Sequence, residues 1–183
     1  MKNIKRYKEL FESQTELTPE QTEWLDKCTR SSWTLNPQTG LVDVNGHFNC
    51  SSQNLTDFKG VRFGVVTRDF NCSYNNLTSL KDAPHEVGGR FYCYNNELTS
   101  LEGAPKKVVG SFWCHGNPVS ESALENIYDR MQSGMSWPDA VVAEWDSIES
   151  DEDKILLAPS NPNLSPEELK GYQALAKLRK RML

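Results

Sequence analysis

Four of the five cysteines in this 183-residue chain keep a beat. Cys50, Cys72, Cys93 and Cys114 are separated by 22, 21 and 21 residues, while Cys28 stands apart. Zinc sites place their ligands in closely spaced pairs, and a disulfide framework has no reason to hold one interval. A constant interval of roughly 20–50 residues marks a structural repeat, each segment one layer of a stack. The surrounding positions keep the same step. Two residues before each Cys stand Phe48, Phe70, Phe91 and Phe112. Three after it come Gln53, Asn75, Asn96 and Asn117, and five after it Leu55, Leu77, Leu98 and Val119. Eight after the first three come Phe58, Leu80 and Leu101.

Phe-x-Cys reads as a strand fragment. Successive side chains of a strand point to opposite faces, so Phe and Cys share one face and the residue between them takes the other. Copies stacked about 4.8 Å apart pair these fragments into a parallel sheet. The Asn falls where the chain turns inward; its amide satisfies backbone groups there and, with its neighbours above and below, forms a ladder. Corners follow at Ala83-Pro84 and Gly103-Ala104-Pro105, where Pro forbids helix. The remainder of each turn has room only for extended or tight-turn connections. The first copy departs, with Gln53 for Asn and Gly60-Val61-Arg62-Phe63-Gly64 for the Pro corner, and is expected to be a looser unit. One unit cannot bury its apolar face alone, so both ends of the stack need covers.

The unit Phe-x-Cys-x-x-Asn-x-Leu-x-x-Leu resembles the leucine-rich repeat, L-x-x-L-x-L-x-x-N-x-L, with Phe and Cys in two of its apolar places. The match covers residues 46–119. Segments such as Leu98-Thr99-Ser100-Leu101-Glu102-Gly103-Ala104-Pro105 look most like short repeat proteins of bacteriophages and bacteria. The short period and corner are also similar to those of secreted bacterial repeat effectors, whose ligase activity sits in a separate large domain that this chain has no room for. The resemblance implies an α+β repeat fold, a small leucine-rich-repeat solenoid with a parallel β-sheet. Its parts would be a helical and β-hairpin cap over residues 1–45, four repeats over 46–119 and a helical cap over 120–183. It also implies a non-catalytic role in binding another protein.

The flanking segments read as covers. Thr18-Pro19-Glu20-Gln21 offers an N-cap, a Pro at the first helical position and a Gln to complete a capping box, predicting a helix to about Cys28. A weaker helix is expected near residues 3–12. Trp33-Thr34-Leu35 and Leu41-Val42-Asp43-Val44, joined through Asn36-Pro37-Gln38-Thr39-Gly40, read as a hairpin, with Trp33 as a plug over the first repeat. After Val119 the apolar period changes from 2 to 3.6. Ala123, Leu124, Ile127, Tyr128 and Met131 form one stripe, ended by Gly134. Ser136-Trp137-Pro138-Asp139 opens a second helix burying Val141, Trp145 and Ile148. Residues 149–163 read as an acidic connection. Ser165-Pro166-Glu167-Glu168 starts a last helix to about Arg181, with Leu169, Tyr172, Leu175, Leu178 and Met182 inward.

Several function classes fit poorly. No apolar run approaches the ~20 residues of a membrane span. Met1-Lys2-Asn3-Ile4-Lys5-Arg6 has no apolar stretch behind it, so no signal peptide is expected and the cytoplasm is the expected location, that of the host cell if the chain is phage-encoded. A net charge of −5 disfavours general nucleic-acid binding. The acidic block Asp146, Glu149, Asp151, Glu152, Asp153 and the basic tail Lys177, Arg179, Lys180, Arg181 read as solvated surface. Inward Cys behaves as a small hydrophobe. His47 beside Cys50, and His115 beside Cys114, lie on the face opposite their Cys, so packing is favoured over metal binding. No phosphate loop, nucleophile elbow or HExxH is present. No enzyme, cofactor or metal is therefore expected.

Alternation makes the outward columns legible. They are His47, Asp69, Arg90, Ser111; then Asn49, Asn71, Tyr92, Trp113; then Ser51, Ser73, Tyr94, His115, with Tyr74 alongside. The face starts polar and becomes aromatic, the composition of an interface hot spot. Arg90, Tyr92, Tyr94, Trp113, His115, Tyr74, Asn71 and Asp69 are the expected partner-binding residues. The competing expectation is that the C-terminal helices cover these rings, or that the rings only stack on one another. The leading functional reading is a phage-type accessory protein, monomeric, that inhibits or otherwise modulates a host or defence protein such as a bacterial toxin. A structural or assembly role, and nucleic-acid handling, are the alternatives.

Overall fold

A computed structural model describes residues 16–178, together with the backbone of Arg179. The helix expected near residues 3–12, and Lys180, Arg181 and Met182, lie outside the described residues.

Helix α1 (Pro19–Cys28) starts on the capping box read from the sequence. Gln21 N–H donates to Thr18 Oγ1 at 3.2 Å, and Thr18 N–H donates to Gln21 Oε1 at 2.9 Å. The hairpin β1 (Ser32–Leu35) and β2 (Leu41–Asn45) follows. The chain then winds into a parallel β-solenoid. Its inner wall is a four-stranded parallel sheet of two-residue strands, β3 (Phe48–Asn49), β5 (Phe70–Asn71), β7 (Phe91–Tyr92) and β9 (Phe112–Trp113). Phe48, Phe70, Phe91 and Phe112 share one register position, and Asn49, Asn71, Tyr92 and Trp113 the next. The 21-residue rhythm is thus the solenoid turn.

A second sheet forms the opposite wall, where connections alone were expected. It runs β1–β2–β4–β6–β8, through β4 (Arg62–Val66), β6 (Glu86–Val87) and β8 (Lys107–Val108), parallel from β2 onward. Its inward column is Val44, Val66, Val87 and Val108, spaced by the same 22, 21 and 21 residues as the cysteines. Its glycines let neighbouring turns nest: a Cβ on Gly103 would run into the Leu80 carbonyl at 2.5 Å, and the φ of +85° suits no other residue as well.

Between the walls lies the apolar core. Phe48, Phe70, Phe91, Cys50, Cys72, Cys93, Cys114, Leu77, Leu80, Leu98 and Leu101 are fully buried. The Phe rings stack in a column, with centroids 5.2, 5.5 and 5.5 Å apart and planes within 15° of parallel. Both covers continue that column. Trp24 of α1 meets Phe48 edge-on at 5.4 Å, and Tyr128 stacks on Phe112 at 3.8 Å.

Trp24 is therefore the N-terminal plug, and Trp33 is not. Trp33 stands half-buried in the edge strand β1, its Nε1 donating to Asp26. The reason is geometric: a helix lying across the open end delivers a ring along the stack axis, whereas a hairpin extending the outer wall does not. The first copy is not loose either. Phe48 and Cys50 are sealed, Arg62, Phe63 and Gly64 belong to the five-residue strand β4, and Gln53 joins the cover. Gln53 Oε1 accepts from Trp24 Nε1 at 2.8 Å, and its Nε2 donates to Cys28 Sγ at 3.3 Å.

The C-terminal cover comprises α2 (Glu121–Gln132), α3 (Trp137–Glu144), α4 (Asp151–Leu157) and α5 (Pro166–Arg179). The acidic connection contains α4, because Ser150 caps a helix there and acids suit its first turn. Asp153, expected in solvent, is buried: its carboxylate accepts from Ser120 N at 2.9 Å and Ser120 Oγ at 2.6 Å, holding the residue that caps α2. Trp145 is only half-buried, and it meets Tyr172 edge-on at 5.8 Å. The expected inner stripe of α5 is half used. Leu169 and Tyr172 are partly covered, but Leu175 and Leu178 stay 50% and 55% exposed. The seven-residue α4 spans only about 10 Å, half the length of α5, so the second half of α5 outruns it.

The plug assignment is testable by denaturant unfolding. Trp24→Ala should cost about 3–5 kcal/mol, as for a large buried ring. Trp33→Ala should cost no more than about 1.5 kcal/mol. Equal losses would return the plug to Trp33.

Candidate protein-binding face

Residues between and after the inward Phe and Cys positions are held by backbone bonds that repeat turn by turn. Phe70, Cys72 and Tyr74 N–H donate to the carbonyls of Arg90, Tyr92 and Tyr94 at 2.9, 2.9 and 3.1 Å. Phe91, Cys93 and Asn95 N–H donate in turn to Ser111, Trp113 and His115 at 3.0, 2.9 and 2.9 Å. Each outward residue is thus fixed at both ends of its turn.

The asparagines lock the same segments from inside. Asn75 and Asn96 are buried, and Asn117 is partly so. Asn96 Nδ2 donates to the carbonyls of Cys72 and Cys93, both at 3.1 Å, and its Oδ1 accepts from Leu77 N at 3.1 Å. Asn117 repeats this with Cys93, Cys114 and Leu98. The ladder runs through backbone rather than from Asn to Asn, each amide tying its own turn to the one before. A buried amide so used fixes conformation, since an unpaired group there would cost about 1–3 kcal/mol.

The outer surface carries the expected columns. His47, Asn49, Arg90, Ser111 and Trp113 are exposed, Asp69, Asn71, Ser51, Tyr92, Tyr94 and His115 are half-buried, and Ser73 is buried. Tyr74 and Trp113 are 55% and 44% exposed. The rings brace one another and remain open. Tyr94 stacks on His115 at 4.6 Å and 9°, Tyr74 meets Tyr94 edge-on at 5.2 Å, and Tyr92 meets Tyr94 at 6.2 Å. Trp113 meets His115 edge-on at 6.0 Å. The described parts of the C-terminal helices leave Tyr74 and Trp113 exposed. Tyr74 has a φ of +55°, a left-handed position that the next two turns fill with Asn95 and Gly116. A bulky residue there costs about 1–2 kcal/mol, strain of the kind that collects at functional sites.

The polar groups are sorted in a definite way. Asp69 Oδ1 accepts from Arg90 N at 2.7 Å. His47 Nδ1 lies 3.3 Å from the Asp69 carboxylate and 3.4 Å from the Asp69 backbone nitrogen. His115 Nδ1 lies 3.6 Å from Glu121. Arg90 Nη1 reaches Tyr92 Oη at 3.4 Å. Sequence reasoning missed Glu121, whose place beside His115 depends on how α2 leaves the last turn. It also missed Gly89, where a Cβ would strike the Asp69 carboxylate; the signal was its 21-residue spacing from Gly110.

The cysteines face away from this surface. Burial holds the Cys50, Cys72 and Cys93 thiols well above the ordinary range. Burial, with smaller contributions from Glu125 and Glu121, pushes Cys114 up to about 12, and burial also raises Cys28. A thiol of this kind is a packing element, since the thiolate is the nucleophile. Among the described residues no cluster of three His, Cys, Asp or Glu could hold a metal, and no helix is long and apolar enough to cross a membrane. Compared with family models, curated proteins and solved structures, the chain matches none.

The thiols bind their protons more tightly folded than unfolded. The stability they contribute is full below about pH 8.5, the ordinary thiol value, and falls as the pH rises toward 12. Native protein at pH 8 should react negligibly with a chromogenic disulfide, and all five thiols should react after unfolding. Rapid native labelling at Cys72 or Cys93 would contradict their burial.

Proposed function

We propose that this chain is a non-catalytic protein-binding repeat protein of the leucine-rich type, and that its inner strand face grips a partner protein. The observation that carries this is the open aromatic cluster Tyr74, Tyr92, Tyr94 and Trp113 on a rigid sheet. Aromatic side chains give large contact area at small entropic cost, and a pre-ordered surface loses little freedom on binding. An exposed ring cluster, one member on a strained backbone, is costly for folding alone.

The likeness of the repeat unit to phage and bacterial proteins supports a narrower reading. The chain is then a phage-type accessory protein in the host cytoplasm that blocks a host or defence protein, a bacterial toxin being the first class to try. Inhibition would follow from stoichiometric coverage of the partner's working surface.

Affinity capture from bacterial lysate, read by quantitative mass spectrometry, tests this. Wild type should enrich a partner that Tyr92→Ala and Trp113→Ala lose. With the purified partner, Trp113→Ala should weaken binding by about 30-fold or more, the loss of a hot-spot residue. Its melting temperature should stay close to wild type. Capture that survives both changes would remove the strand face as the site.

A further inference from the structure

Several hydrogen-bonding groups left over on the strand face are donors. Asn49 Oδ1 accepts from Ser51 N and Ser51 Oγ at 3.0 and 2.8 Å, and Asn71 Oδ1 accepts from Ser73 N and Ser73 Oγ at 3.0 and 2.6 Å. Both amides have therefore turned their oxygens to their own chain and their N–H groups outward. Asp69 is held by the Arg90 backbone and by His47, and Glu121 by His115. The Arg90 guanidinium, in contrast, is in no ion pair among the described residues; it leans on Tyr92 and keeps its other N–H groups free. The exposed Trp113 indole N–H likewise has no acceptor among the described residues. Asn49, Asn71, Tyr92 and Trp113 occupy one register column, so these donors line a single track that ends on aromatic rings.

We infer that the occupant of this track is an extended, acidic segment of the partner protein, in which an Asp or Glu stands next to an aromatic or large aliphatic residue. The inference rests on the protein-binding reading above and specifies its ligand. Backbone carbonyls of the segment accept from Asn49 and Asn71, its carboxylate pairs with Arg90, and its apolar neighbour lies on Tyr92 and Trp113. A guanidinium presents a fork of donors that a carboxylate matches with two parallel bonds. A surface carrying several free donors over aromatic rings would also suit the phosphates and bases of a single strand. The −5 net charge, and Arg90 as the one unpaired cation of the track among the described residues, make that a poor match, because such binding needs clustered cations.

The full chain, immobilised as wild type, Arg90→Glu and Trp113→Ala, should be panned against a displayed random library of short peptides. Wild type should enrich peptides with Asp or Glu close to an aromatic or large aliphatic residue. An enriched peptide should lose at least about tenfold in affinity to Arg90→Ala, the value of a charge-assisted hydrogen bond. Arg90→Glu should enrich Lys or Arg at the same place. Arg90 is exposed, so circular dichroism and melting temperature should be unchanged.

Enriched peptides that need Trp113 but carry no acidic residue, or ignore Arg90→Ala, would overturn the inference and leave the protein-binding reading intact. Peptides indifferent to Trp113→Ala and Tyr92→Ala would overturn both. Failure of wild type to enrich any peptide would overturn the inference. So would displacement of the peptide by a single-stranded oligonucleotide, or a dimer of the chain broken by Trp113→Ala.

Discussion

One shared register holds this molecule together. On the first three inner strands the N–H groups of the inward residues donate to carbonyls one turn later, at 2.9–3.0 Å. Because side chains alternate along a strand, a slip of one residue would exchange every inward and outward position. The Phe column would then meet water, and the outward polar column would enter a core with no partners for it. The register is protected twice over. Stacked rings favour it from the apolar side, and buried Asn amides bonding two turns at once favour it from the polar side. Two-residue strands would be too short to hold a sheet alone; here the repetition supplies what each strand lacks.

The same constraint separates scaffold from surface. Phe, Cys, Leu and Asn are nearly invariant from turn to turn because each must fit the copy above and below. The outward residues face no such demand, and they change character from Asn49 and Asn71 to Tyr92 and Trp113, and from Ser51 and Ser73 to Tyr94 and His115. Variation confined to positions free of packing duty is where binding chemistry can be written without cost to the fold. The rings gain rigidity from their mutual contacts and from a backbone bonded on both sides, so little ordering is left to do on association.

Much of this was legible in the sequence because the repeat prints each demand four times. The inward Phe and Cys, the Asn, the outward columns and the starts of α1, α3 and α5 all followed from spacing and residue type. The outer sheet was missed, although Val44, Val66, Val87 and Val108 kept the cysteine rhythm; short Val-containing pairs beside Gly and Pro look like turns when read one copy at a time. Trp33 stands nearer the first repeat in sequence than Trp24, but the end of a stack is closed by whatever lies across its axis. Asp153 looked solvated because nothing local reveals a partner 33 residues away at Ser120. The donor bias of the face was also hidden, since it depends on which way each Asn amide turns.

Excision of one period tests the shared register most directly. Removing residues 76–96 joins Asn75 to Glu97 and preserves every column, since Asn96 and Glu97 occupy the places of Asn75 and Asn76 one turn on. That shortened chain should unfold in a single cooperative transition with a native-like circular dichroism spectrum. Removing Tyr92 alone puts Phe91 and Cys93 on opposite faces of the strand, where no connection can absorb the change, and should abolish cooperative folding. If both deletions behave alike, whether both fold or both fail, the inward Phe and Cys columns do not set the register and the account is wrong.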